Sequence, residues 1–218
     1  MACARCNSGV KVAADTQMKR RMFLMGAATA SLMPQVCGAA AEAERIEPVL
    51  LEDGRYTQPW FLTSFLVLKD DLADTAAEGK RLALLWDQVG CPYCKQMHRV
   101  NFADPAVNTY IRERFNILQL DLNGAREVTD FDGEVLSEKD LARKNGVIGT
   151  PTIEFLPPTP ETVEGKHGRD VEVARLPGYL QPGLFEGMFA YVYDRGYERG
   201  TFRQYMQSKD TAPKAGRG

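Results

Sequence analysis

Two cysteines separated by two residues stand at the centre of WDQVGCPYCKQMHRV, residues 86–100. Cys91 and Cys94 follow an apolar run and open a run of helix formers. A pair so placed can staple a fold, hold a metal, carry a haem or trade electrons with other thiols. Covalent haem attachment needs a histidine directly after the second cysteine, and Lys95 stands there. A closed zinc site needs four ligands, but His98 and His167 are the only histidines and no second tight pair accompanies them. A disulfide between residues this close shuts a loop too short to restrain much unfolded-chain entropy, so it makes a poor staple. Thiol–disulfide exchange is the chemistry these residues favour, with a metal-binding role as the alternative from a different class.

The other cysteines bear on where that chemistry takes place. The chain has five, Cys3, Cys6, Cys37, Cys91 and Cys94, an awkward number for a disulfide framework. Residues 18–43 read MKRRMFLMGAATASLMPQVCGAAAEA: a charged start at Lys19, Arg20 and Arg21, a mildly apolar run to Met33, then small residues from Ala39 to Ala43 suited to cleavage. The core RRMFL is similar to a twin-arginine export signal, and the Gly/Ala/Thr-rich run after it suits that route. Residues 1–17 make an odd preface, so Met18 is read as the better start and 1–17 as an extension. Cys3 and Cys6 repeat the two-residue spacing with no strand before them, and Cys37 leaves with the signal. The exported chain then keeps only Cys91 and Cys94, in an oxidising compartment where a lone pair this close is chemical.

With 27 basic and 29 acidic residues the formal charge is -2, so no nucleic-acid-binding surface is advertised and no basic run marks a membrane surface. No apolar stretch of about 18 residues is present, which argues against a lasting transmembrane helix. The 218 residues suffice for one domain with a true core.

The elements that must position the cysteines can be read in order. Residues 63–80 carry Phe65, Leu66, Leu68, Leu72 and Ala76 at helical spacing, ended by Gly79. Arg81 to Asp87 is a short apolar run with the marks of a buried strand. A helix follows from Cys91 to Phe102, with Pro92 in its first turn, where the missing N–H costs nothing. Asp104-Pro105 opens another through about Phe115, and Asn116 to Leu122 alternates as a strand. The segment NGAREVTDFDGEVLSE carries a hairpin signal at Asp132-Gly133, and its acidic spacing is incomplete for a calcium loop. Ser137 caps a short helix to Lys144. Thr152 to Leu156 and Val171 to Leu176 pair as strands, and Pro182 to Arg195 forms a closing helix. Asp121, Asp130 and Asp132 read as a solvated edge, Trp86 and Phe102 as core, and His98 as a partly exposed surface residue.

A β-α-β half followed by a β-β-α half is the order a thioredoxin-like sandwich requires, and Gly149-Thr150-Pro151 puts a proline at a strand start where that fold carries its cis-proline loop. GCPYCKQMHRVNF, NGAREVTDFDGEVLSEKDLARKNGVIGTPTIEF and LPGYL together resemble the periplasmic thioredoxins of the SoxW type, which accompany bacterial sulfur-oxidation (Sox) systems. The likeness runs from about Leu82 to the final helix. The C-P-Y-C and T-P elements are shared across the superfamily, and the insertion is the discriminating part. One departure is plain: thioredoxins carry a buried Asp six residues before the first cysteine, and Leu85 stands there, which passes proton handling to Asp87 or to water.

The fold expected is α/β, a thioredoxin-like three-layer sandwich with a central mixed sheet, flanking helices and an inserted β-hairpin, over residues 44–206 with a flexible tail at 207–218. Cys91, at a helix start where unpaired N–H groups favour negative charge, is expected to be the attacking thiolate, and Cys94, one turn in, the resolving thiol. Pro92 fixes the entry geometry, Tyr93 tunes exposure, and Thr150 and Pro151 lie against the sulfurs, with the Thr150 backbone able to pair with an incoming peptide strand. The activity expected is that of an exported periplasmic reductant that needs no cofactor or metal and acts as a monomer on protein disulfides. The resemblance implies a membrane electron donor of the CcdA/SoxV kind and clients in sulfur oxidation or cytochrome maturation. The alternatives are a DsbA/DsbC-like oxidase or isomerase and a periplasmic metallochaperone, although chaperones of this fold space their cysteines more widely.

Overall fold

A computed structural model describes residues 45–211. The signal segment, Arg20, Arg21, Cys3, Cys6 and Cys37 lie outside the described residues. All described elements belong to one unit, Glu42–Gly218.

In chain order the elements are β1 (Val49–Leu50), β2 (Tyr56–Thr57), α1 (Leu68–Ala77), β3 (Arg81–Asp87), α2 (Pro92–Gln96) with a π-helical continuation (Met97–Asn101), α3 (Pro105–Arg114), β4 (Phe115–Asp121), β5 (Glu127–Thr129), β6 (Val135–Ser137), α4 (Glu138–Lys144), β7 (Thr152–Phe155), β8 (Ala174–Pro177), α5 (Pro182–Tyr193) and α6 (Phe202–Thr211). The central sheet has the order β4-β3-β7-β8, with β3 parallel to β4 and the other neighbours antiparallel. It is a mixed sheet, as expected.

Strand β3 is buried along its whole length, as a continuous apolar run in a sheet covered on both faces must be. Its side chains alternate between two cores. Leu82, Leu84 and Trp86 join Leu68, Leu72, Leu141 and Ala142 of α1 and α4. Ala83 and Leu85 join Met97, Phe102, Ile111, Phe185 and Phe189 on the opposite face. The three layers are therefore α1 and α4, the sheet, and the helices α2, α3 and α5. Asp87 has the parity of Leu85, which sends its side chain to the face where α2 begins.

Local chemistry sets the helix starts. Asp104 accepts hydrogen bonds from the N–H groups of Ala106 and Val107, both at 3.0 Å, and Ser137 accepts one from Asp140 N–H at 3.1 Å. The inserted hairpin pairs Thr129 with Val135, so the turn spans residues 130–134 and is longer than an Asp-Gly pair alone would give; Gly133 takes the positive φ of 85° that it needs.

Several expectations are corrected. Helix α1 starts only at Leu68, leaving Phe65, placed in the sequence stripe, fully exposed. Strand β8 begins at Ala174 rather than Val171, because residues 168–170 form a helical turn first. Helix α6 runs across the boundary drawn at residue 206. Asp130 is no solvated residue: it is 2% exposed and ion-paired with Lys144 at 2.6 Å. His98 is not on the surface either, being 1% exposed beneath Phe61 and Phe102.

Candidate active site

Gly90 turns the chain out of β3 with a φ of 78°, and Cys91 then occupies the N-cap of α2 in extended conformation. Pro92 takes the first helical position, so the first N–H that needs an acceptor lies further in. The backbone N–H of Cys94 donates to Cys91 Sγ at 3.1 Å. A sulfur thus fills the place of the usual oxygen cap, and in the reduced molecule that N–H stabilises a thiolate there. Cys91 and Cys94 are joined as a disulfide with their Cα atoms 5.3 Å apart. Cys91 is 9% exposed and Cys94 4%, so in the oxidised form both are largely covered and Cys91 only slightly less so.

The second half of the site comes from the loop before β7. The Thr150–Pro151 peptide bond is cis, and the Thr150 carbonyl oxygen lies 3.6 Å from Cys91 Sγ. Thr152 Oγ1 donates to the Gly149 carbonyl at 2.7 Å, and Gly178 N–H donates to the Pro151 carbonyl at 2.7 Å, which ties the loop to β8. Tyr93 is exposed and stacks on Tyr179, ring centroids 6.3 Å apart at 24°. Val89 and Ile148, two residues ahead of Cys91 and Thr150, are also exposed apolar side chains. Every residue expected at the site, Cys91, Pro92, Tyr93, Cys94, Thr150 and Pro151, therefore lies in the cysteine turn or the loop facing it. Tyr179 is an addition that only its tertiary contact reveals.

Behind the disulfide is a group of polar side chains that sequence reading hardly touched. Leu85 is core, so no acid stands six residues before Cys91. Asp87 is buried; Gln119 Nε2 donates to its Oδ2 at 2.7 Å, and His98 Nε2 lies 3.5 Å from the same oxygen. Arg55 Nη1 is 3.7 Å from Asp87 Oδ1. Burial opposes the charge of Arg55, but its hydrogen bond to Asp53 and the charges of Asp87, Asp53 and Asp121 more than offset this, so its proton is held even more firmly than usual. A cavity of about 440 Å³ opens beside these groups, lined by Leu50, Tyr56, Asp87, Cys91, Cys94 and Lys95 among others. Among the described residues no three or more His, Cys, Asp or Glu side chains converge as metal ligands.

The model of the family described as Thioredoxin-like domain matches residues 68–193, more than half of the chain. The chain belongs to the thioredoxin-like domain family. None of the curated proteins matches it. Among solved structures, a thioredoxin-fold protein from Helicobacter pylori is 21% identical, with a TM-score of 0.49 over 62% of this chain and 86% of that one. A thioredoxin from Thermus thermophilus is 28% identical, with a TM-score of 0.43 over 58% of this chain and 83% of that one. The oxidised C-terminal domain of DsbD from Neisseria meningitidis is 17% identical, with a TM-score of 0.40 over 60% and 97%. A thioredoxin-like domain with a cystine across the first turn of its helix is a thiol–disulfide oxidoreductase, and that is the activity class of this chain. The segment carrying Arg55 and Gln58 lies before the matched residues.

Proposed function

We propose that the chain is an exported reductant of protein disulfides, of the SoxW type, in which Cys91 attacks and Cys94 resolves. The Cys91 thiolate attacks one sulfur of a client disulfide, and the other client sulfur leaves as a thiolate that picks up a proton. Cys94 then attacks Cys91 Sγ, the mixed disulfide breaks, and the second client sulfur departs. Two electrons pass from the dithiol to the client, and the Cys91–Cys94 disulfide remains. The observation that carries this reading is the hydrogen bond from Cys94 N–H to Cys91 Sγ, with that sulfur set against the Thr150 carbonyl. It gives one sulfur an anion-stabilising donor and a neighbouring backbone on which an extended client strand can pair. Pro92 holds the turn and Tyr93 shapes its outer wall.

The finer reading draws on sequence. RRMFL before a modest apolar run supports twin-arginine export to the periplasm, and the insertion from residue 123 supports the Sox context. A membrane thiol–disulfide carrier of the CcdA/SoxV kind would re-reduce the protein, which works as a monomer. The deciding measurement is the midpoint potential against glutathione. A value near that of thioredoxin, about -270 mV, supports the reductant; one near that of DsbA, about -120 mV, makes the chain a disulfide-forming enzyme instead. Metal analysis of the reduced protein separates the other class, since stoichiometric copper or zinc would make it a metal carrier.

A further inference from the structure

Another cavity, of about 540 Å³, opens at the end of the sheet where β3 and β4 begin, while the cystine follows the far end of β3. Trp60, Lys80, Thr109, Arg112, Glu113 and Phe115 line it, and none of them lines the cavity beside Cys91 and Cys94. Thr109, Arg112 and Glu113 share one face of α3, being three and four residues apart. Trp60 comes from the segment ahead of the family-matched residues.

The polar groups at this end are unevenly satisfied. Glu113 pairs with Arg114 at 2.9 Å. Glu78, 3.3 Å from Lys80, also accepts a hydrogen bond from Asn116 at 3.1 Å. Arg112 makes no ion pair among the described residues, and its guanidinium lies over the Trp60 ring, 6.0 Å from the centroid. The indole N–H of Trp60 is buried without an acceptor. Arg81, 9% exposed and in register with Phe115, also makes no ion pair among the described residues, and its Nη1 has no hydrogen-bond partner. The carboxylates here are thus engaged, while two guanidiniums and an indole N–H are left over. Buried donors without acceptors are costly, and such a surplus beside one hollow calls for an acceptor from outside the chain.

We propose that this cavity binds a small organic oxyanion, a phosphate or carboxylate group on an apolar body. The oxyanion takes the Arg112 guanidinium as its main partner, with the Lys80 ammonium and the Thr109 hydroxyl beside it. The Trp60 N–H supplies a further donor as the ligand seats. A bare ion would fill only a small part of the cavity, whose volume is that of a site for a small organic molecule. The Trp60 and Phe115 rings supply the apolar wall against which the body of such a ligand packs. The site is separate from the thiol chemistry and does not rest on the roles given to Cys91 and Cys94.

The experiment titrates the isotope-labelled full chain with phenyl phosphate, benzoate, inorganic phosphate and phenol at constant ionic strength, following the indole N–H signals by NMR. The chain has two tryptophans, and Trp86 already donates to Glu154 at 2.6 Å, so its signal is an internal reference. Trp60→Phe assigns the other signal. Phenyl phosphate or benzoate should move the Trp60 signal to saturation with a Kd of about 1 mM or below and leave Trp86 in place. Inorganic phosphate and phenol, each lacking one half of the ligand, should bind at least about tenfold more weakly. Arg112→Gln should weaken binding by about tenfold or more, and Lys80→Gln by about threefold. If Arg112→Gln is unfolded by far-UV circular dichroism, Arg112→Lys takes its place, since it keeps the charge but loses the planar fork and should still bind more weakly. The proposal is overturned if neither organic anion moves the Trp60 signal at concentrations up to about 20 mM. Equal binding by the wild type and the Arg112 variant overturns it too, as does inorganic phosphate binding as tightly as phenyl phosphate.

Discussion

Cys91 Sγ lies 3.6 Å from the carbonyl oxygen of Thr150, although 59 residues separate the two in sequence. The reactive sulfur and the backbone that a client strand would pair with are therefore one site, built by two elements that meet only because β3 and β7 are adjacent in the sheet. On the proposed reading, a client disulfide brought to the Thr150 edge would arrive at Cys91. On that reading Cys94, one turn inside the helix and 4% exposed against 9% for Cys91, acts only after Cys91 has been modified.

The two thiols should therefore behave differently when each is removed. Cys94→Ser keeps the attack and loses the escape, so it should accumulate mixed disulfides with its clients. Cys91→Ser should trap almost none. Non-reducing gels of periplasmic extracts followed by mass spectrometry make the comparison, and equal trapping by the two variants would reverse the assignment of roles. In the reduced wild type, rapid alkylation near neutral pH should modify Cys91 alone.

The pH dependence of stability should centre on Glu154. Burial pushes its carboxyl up to about 7, while hydrogen bonds from Trp86 and Asn145 and the charge of Arg175 pull only partly against that. Between the ordinary carboxyl range and pH 7 the folded chain thus holds a proton that the unfolded chain has released. This contribution to stability is complete at the acid end of that interval and is lost as pH rises through 7, by at most about 3 kcal/mol. Urea unfolding from pH 5 to 8 should show the decline in the wild type and a flatter profile in Glu154→Gln. Asp53 and Asp132, both held below their ordinary values, change protonation at the acid side of that window.

Export should need the arginine pair. Arg20→Lys together with Arg21→Lys should leave precursor in the cytoplasm, and the exported form of the wild type should have lost Cys37. Fractionation and intact mass read both. Unimpaired export of the double variant would point to the general secretory route, and a retained Cys37 would place cleavage elsewhere.

What could be read from sequence was what local pattern encodes. The continuous apolar run Arg81–Asp87 gives β3 to the residue, and Asp104-Pro105 and Ser137 give the starts of α3 and α4 because a cap is a short-range interaction. Strands of two residues such as β1 and β2 carry no period, so the hairpin that walls the cavity went unseen. The helix from Pro92 passes into a π turn at Met97, where the side chain of Gln58 donates to the His98 carbonyl at 3.1 Å. Nothing in MHRVN announces a partner 40 residues earlier. For the same reason His98 read as a surface residue, although Phe61 and Phe102 cover it. At the site, the cysteine turn and the Thr150-Pro151 loop were legible as motifs, whereas Arg55, Gln119 and Tyr179 are there through tertiary contact alone.

The last prediction concerns the inserted hairpin, where an acidic stretch read as a solvated edge is tied to one cation. Lys144 Nζ, at the end of α4, lies 2.6 Å from Asp130, 2.6 Å from Asp132 and 2.9 Å from Glu134. Burial opposes its charge, but the three carboxylates more than offset that, and they hold its proton more firmly than an ordinary lysine would. Asp132 and Glu134 reach water and lose little if the lysine goes. Asp130 does not, since its side chain is 1% exposed. Lys144→Met should therefore destabilise the protein by about 3 kcal/mol, chiefly by leaving the Asp130 charge buried without a partner. Adding Asp130→Asn should restore at least about 1 kcal/mol, because the second change removes the stranded charge. Urea midpoints of the wild type, the single variants and the double variant give the coupling. Additive single effects would mean that Asp130 finds water once Lys144 is gone, and that the ion pair does not hold the hairpin to α4.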